Sequence, residues 1–247
     1  MPAHPSRSPS QVMCLLQYTP RADAAERGYE DWLRSTDNPF FNSVPGILLY
    51  ENWKVHAPIL GKPDYAYFDL MYLDGNAAIE RVWSNPKVID FATEWTRQWG
   101  KVPDPTVDQS VNYHVVICDE IAGPITPRRT SWCMFLPYVP RADAVALGYD
   151  KYLLEIDNPF FNSDVVPEVV SDANWRKRSE VVGREWWTDF DLMFIEGPEA
   201  VGGLFANPRA AEFMAGFVRQ WGRVPEGTAE QNFDGVLAQL VAAPARR

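Results

Sequence analysis

One segment of this chain is written twice, and that repeat limits the fold more than any other feature. Tyr18–Ser43 reads YTPRADAAERGYEDWLRSTDNPFFNS and Tyr138–Ser163 reads YVPRADAVALGYDKYLLEIDNPFFNS, identical at 16 of 26 positions. After a two-residue insertion the register is expected to hold to the end of the chain. Asn52-Trp53 recurs as Asn174-Trp175, and Phe68-Asp69-Leu70-Met71 as Phe190-Asp191-Leu192-Met193. Asn85-Pro86 recurs as Asn207-Pro208, Arg97–Gly100 (RQWG) as Arg219–Gly222, and Val102-Pro103 as Val224-Pro225. A unit of about 110 residues is too long for a solenoid repeat and fits a duplicated domain. The expected division is a disordered tail over 1–10, a first half over 11–122, a linker over 123–130 and a second half over 131–247. Gly123–Arg129, GPITPRR, marks the linker by its turn formers and its lack of apolar periodicity.

Each copy gives the same reading. The apolar runs Val12–Tyr18 and Trp132–Tyr138 read as strands. Ala25, Tyr29, Trp32 and Leu33 are spaced helically, predicting a helix over Ala22–Thr36 that the Asn38-Pro39 pair should stop. Strands are predicted over Ile47–Val55 and Tyr65–Asp74. A second helix should start at Asn85-Pro86, bury Ile89, Ala92, Trp95 and Trp99, and end at Gly100. A last strand follows over Val111–Glu120. The order βαββαβ is that of a ferredoxin-like unit. In the strand around Asp69, Phe68, Leu70 and Tyr72 form one face and Tyr67, Asp69, Met71 and Leu73 the other, so both need cover. The fold class is therefore α+β: two tandem ferredoxin-like βαββαβ repeats packed sheet to sheet as an intramolecular dimeric α+β barrel, the burial worth on the order of 10 kcal/mol.

Lys+Arg is 23 and Asp+Glu 33, a formal charge of −10, so no basic stripe is available for nucleic acid. Three scattered cysteines, Cys14, Cys118 and Cys133, offer neither a zinc site nor a disulfide framework, and a reducing cytoplasm is expected. No secretory signal or bilayer-spanning run is read, so no membrane partner is expected. Dinucleotide, P-loop, nucleophile-elbow and HExxH patterns are absent. The expected chemistry is acid–base work without cofactor or metal.

Asp69 and Asp191 each interrupt an apolar strand, where a carboxylate must be paired, hydrated or shifted in pKa. In DNPFFNS, Asn38 and Asn158 are read as making local turn bonds and the Phe pairs as core, with Asp37 or Asp157 facing a cleft as the functional alternative. His114, which aligns with Val236 in the second copy, and His56, which aligns with Arg178, are of the side-chain type suited to proton transfer at neutral pH. The first copy carries Tyr50, Glu51, Tyr65 and Tyr67 where the second has Asp172, Ala173, Trp187 and Asp189. The first half thus looks like an acid–base site and the second like a partner wall. Ten Trp, ten Tyr and 13 Phe suit a flat aryl ligand as well as a core.

The duplicated unit, the DNPFFNS loop and the helix ending in RQWG(K/R)VP resemble the dimeric α+β barrel superfamily in tandem-fused form, and within it the RedY/HapK-like proteins of natural-product pathways. That resemblance implies an aromatic small-molecule substrate in secondary metabolism and a partner reductase. The expected activity is a cofactor-independent dehydratase, with cyclase-like chemistry open, on a reduced quinone or polyphenolic intermediate such as a p-terphenyl. The alternatives are a cofactor-free aromatic monooxygenase and a non-catalytic binding or partner protein. Catalytic candidates are His114 as base, Asp69 as acid, His56 and Tyr67. Substrate-binding candidates are Tyr50, Glu51, Tyr65, Asp37, Asp191 and Trp53.

Overall fold

The computed structural model describes residues 11–124 and 129–244, so the tail expected over 1–10 and the middle of the linker lie outside the described residues. Eight strands form: β1 (Val12–Tyr18), β2 (Ile47–Leu60), β3 (Tyr67–Leu73), β4 (Tyr113–Ala122), β5 (Trp132–Tyr138), β6 (Val169–Val182), β7 (Asp189–Ile195) and β8 (Gly235–Ala242). All pair antiparallel, in the closed order β1-β3-β2-β8-β5-β7-β6-β4. Within the circle the first four strands lie together as β4-β1-β3-β2 and the last four repeat the pattern as β8-β5-β7-β6.

The sequence reading packs two sheets face to face as an α+β barrel within one chain, and the structure is a closed barrel whose halves also pair edge to edge. The prediction stopped the second strand at Val55, but β2 continues to Leu60, and Val55–Leu60 pair only with β8 of the other half. β6 does the same against β4. Pro58 and the irregular alternation of His56–Leu60 hid the extension. Closure leaves no unpaired edge carbonyls or amides, which is how a barrel avoids edge-to-edge aggregation.

Alternation along each strand sorts the side chains. Leu15, Trp53, Phe68, Leu70 and Val116 point inward with Phe135, Trp175, Trp187, Phe190 and Leu192. The rings fill the interior: Trp53 stacks over Phe68 at 6.2 Å, Trp175 over Phe190 at 6.3 Å, and Phe68 meets Phe135 at 5.4 Å. One end is closed by the Glu51–Arg129 ion pair (2.7 Å), the guanidinium lying over Tyr72.

The outer faces carry the helices. The predicted helix over Ala22–Thr36 is corrected: turns run to Gly28, a short helix spans Tyr29–Trp32, a π-turn spans Leu33–Asp37, and helix resumes over Asn38–Ser43. The chain continues through Asn38-Pro39 because the wider π-turn shifts the hydrogen-bond ladder just where Pro39 has no N–H to give. The second copy repeats this over Leu153–Asp157. Pro86–Trp99 is helical as predicted and capped by the Asn85 side chain, but Ile89 is exposed and Val88 is buried instead. The Asn76–Trp83 helix was not foreseen. No described helix is long and apolar enough to cross a membrane.

Candidate active site at the mouth of the barrel

Two places gather ionisable groups. The first is a buried layer between sheet and helices, present in both halves. The π-turn directs Asp37 onto the sheet, where Asn52 Nδ2 donates to Asp37 Oδ2 (2.8 Å) and to Asp69 Oδ1 (2.9 Å). Tyr50 and Tyr18 also donate to Asp69, at 2.7 and 3.2 Å. Asn38 accepts a local bond from Asn42 Nδ2 (3.1 Å), as expected, and also donates to Tyr50 O and Asn52 Oδ1, both at 3.0 Å. In the second half Asn174 bridges Asp157 (2.9 Å) and Asp191 (2.8 Å), and Asp172 replaces Tyr50. Burial pushes Asp37 and Asp157 up to about 7 and also raises Asp69, Asp172 and Asp191, where repulsion from neighbouring carboxyls adds to burial. The cavity beside the first cluster, walled by Trp83, Phe91 and Trp95, is only about 60 Å³. It has room for water but not for an aryl substrate.

The second place is the open end of the barrel. His114 begins β4 facing inward, and its Nδ1 lies 2.6 Å from Glu185 Oε1, a residue of the other repeat. Burial raises the Glu185 carboxyl, and the His114 hydrogen bond partly offsets this. A cavity of about 480 Å³ is lined here by His114, Glu185, Gln17, Tyr65, Asp64 and Tyr113. A neighbouring one of about 250 Å³ shares Asp64, Tyr65 and Glu185 and adds Trp187 and Asp234. Gln17 is 4 % exposed, yet neither amide atom has a hydrogen-bond partner of good geometry, and the buried Trp187 indole N–H lacks one too. Such orphans on a cavity wall are groups a polar ligand would satisfy.

Gly183, which ends β6 at φ +72°, holds the imidazole in place: a Cβ there would collide with the His114 ring. Gly183→Ala is expected to cost about 1–2 kcal/mol for the left-handed backbone alone and to break the His114–Glu185 contact. Chemical denaturation and the imidazole NMR signals would report the two effects separately.

The predicted residues do not form one site. Asp37, Tyr50 and Asp69 meet in the first buried cluster, and Tyr67 stacks on Tyr18 (5.7 Å) at its edge with its hydroxyl 3.4 Å from Glu30. Asp191 sits in the second cluster. Trp53 is core, Glu51 is paired with Arg129 at the closed end, and His56 lies on the outer surface edge-on to Trp132. Only His114 and Tyr65 reach the open mouth. Asp69 and His114 point to opposite faces of the sheet, so one substrate molecule cannot touch both. Three participants were not singled out in the sequence. Asn52 was visible as a repeated residue, whereas Glu185 and Gln17 gave no signal, because their partners are distant in the chain.

The sheet–helix space of the second half is different. It encloses about 560 Å³, lined by Met134, Leu136, Phe161, Met193, Leu204 and Met214 among others. Helix Pro208–Trp221 carries Ala210, Ala211, Ala215 and Gly216 where Pro86–Trp99 has Val88, Ile89, Thr93 and Glu94, and Phe205 replaces Trp83. Smaller side chains leave open what the first half fills.

A closed barrel of two four-stranded halves, with helices outside and ionisable groups at one mouth, defines an α+β barrel of the dimeric type, assembled here within one chain. Residues 11–111 match the sequence profile of the family described as REDY-like protein HapK. Among solved structures, a monooxygenase candidate from Lactobacillus acidophilus NCFM is similar over 95% of both chains at 10% identity and a TM-score of 0.60. An anthrone oxidase-like protein is similar over 96% of this chain and 93% of its own at 12% identity and a TM-score of 0.56. Identities this low establish likeness of fold. A sequence search of curated proteins gives no match.

Proposed function

We propose that this protein is a cofactor-independent acid–base enzyme that removes water from a reduced quinone or polyphenolic aryl intermediate, each half being a ferredoxin-like unit. One observation carries the reading: the His114–Glu185 contact of 2.6 Å, built from both repeats on the wall of a 480 Å³ cavity. Glu185 accepts the Nδ1–H of the imidazole, which leaves the Nε2 lone pair free to take a proton. Tyr65 and Tyr113 offer ring faces, and Gln17 offers an unused amide to an oxygen of the ligand. The resemblance to pigment-pathway proteins supplies the substrate class, with a separate reductase providing the reduced ring. The test is incubation of the purified protein with a chemically reduced p-terphenyl dihydroxyquinone under nitrogen, followed by mass spectrometry. Loss of 18 mass units is expected; conversion only in oxygen would instead mark a monooxygenase and sink the reading.

The 560 Å³ cleft favours a second reading, in which the protein holds an aryl intermediate without converting it, because that cleft is apolar and substrate-sized. Phe205→Trp/Ala210→Val/Ala211→Ile installs the larger residues that the first repeat carries at these positions. If the cleft is the binding site, calorimetry with 4-phenylphenol should show at least a roughly tenfold weaker complex in that variant, a loss of about 1.4 kcal/mol.

A further inference from the structure

The two repeats are out of register by two residues near their ends, and the structure shows what this does at the mouth. Asn112 brackets the Val102 backbone with bonds of 2.8 and 3.0 Å, and Asn232 does the same for Val224 at 2.9 and 3.0 Å. Tyr18 pairs with Tyr113 and Tyr138 with Phe233; Leu15 pairs with Val116 and Phe135 with Val236. The partner of His114 by internal symmetry is therefore Asp234, not Val236 as the sequence alignment had it. Each is seated against a glycine of positive φ that ends the long crossing strand, Gly183 for His114 and Gly61 (φ +67°) for Asp234.

We propose that Asp234 is the general acid that works opposite His114 across this mouth. The inference rests on the dehydratase reading and extends it to the second proton. His114 and Asp234 line adjoining cavities with Asp64, Tyr65 and Glu185 as common wall, and the buried Gln17 amide beside Tyr65 and the Trp187 N–H beside Glu185 flank them. Pro63 stands where Glu185 stands in the other half, so Asp234 has no partner that would hold it ionised in the way Glu185 orients His114. Asp64 faces it, Lys62 lies on the same wall, and Arg223 is the nearby opposing cation; burial first and Asp64 second raise its carboxyl. In the step, His114 Nε2 removes the ring proton and the C–H electron pair becomes the new C=C bond. The C–O bond breaks with its pair onto oxygen, which takes the Asp234 proton and leaves as water. Solvent then returns the proton from imidazolium to carboxylate.

The test compares two reduced diaryl substrates, one losing hydroxyl and one losing acetate, which departs without protonation. Asp234→Asn is expected to lower kcat on the hydroxyl substrate by about 10²-fold or more, to spare the acetate substrate, and to remove the alkaline limb of the pH–rate profile. Asp234→Glu should recover part of the loss. Equal losses on both substrates, or no loss, overturn the acid role while leaving the dehydratase reading intact. A wild-type protein that releases water from neither substrate overturns both.

Discussion

His114→Ala leaves the barrel folded and lowers turnover by at least about 10²-fold, the usual worth of one positioned acid–base group. The side chain is 31 % exposed at the mouth and takes no part in the stacked interior, so its loss removes chemistry without opening the core. Glu185→Gln sharpens the assignment. It keeps an acceptor oxygen near Nδ1 but removes the charge that stabilises the imidazolium formed during proton transfer. Its effect should fall on kcat and leave KM close to that of the parent. His56→Ala, on the outer surface against Trp132, should change nothing. Circular dichroism and steady-state kinetics on the three variants decide the matter. Unchanged turnover in His114→Ala would remove His114 from the mechanism.

Stability is expected to fall as pH rises from about 4 to about 7, the reverse of ordinary acid denaturation. Burial raises Asp37 and Asp157 to about 7 in the fold against an ordinary value of 3.8, and the amide hydrogen bonds of Asn52 and Asn174 only partly offset it. A group whose pKa is raised by folding takes up protons as the chain folds. Its stabilisation is complete below the unfolded value and is lost as pH climbs through the folded one. Asp69, Asp172 and Asp191 are raised in the same direction by burial and neighbouring carboxyls, so they add to the fall. Each of the two titrating carboxyls costs on the order of a few kcal/mol by pH 8. The lowered carboxyls, such as Asp23 and Asp104, are solvent-exposed and oppose this only weakly. Asp37→Asn/Asp157→Asn should make the profile shallower, since Asn52 and Asn174 can still donate to an amide oxygen and two of the raised carboxyls are gone. Urea denaturation midpoints from pH 4 to 8 provide the measurement, and a midpoint that rises with pH would show these carboxyls ionised in the fold.

The buried clusters illustrate what a single chain discloses. Asp69 in an apolar strand announced itself as a carboxylate needing partners, and the repeated Asn52 stood beside it unread, because its role depends on a π-turn that no local spacing signals. The mouth was half legible. His114 stood out as a histidine in a strand, but Glu185, 71 residues away, meets it only through the β4–β6 junction. A two-residue deletion in a loop was enough to conceal Asp234 as its counterpart.

By itself the sequence determined a duplicated α+β unit with strands at Val12–Tyr18 and Trp132–Tyr138 and an inward and an outward face on each strand, because side-chain alternation and the repeat are local properties. Tertiary structure alone decided that the sheets close edge to edge, that the rings fill the interior, and that the ionisable groups divide between a buried layer and an open mouth. The reason is that hydrogen-bonded register between distant strands, more than the identity of any residue, sets which side chains share one space.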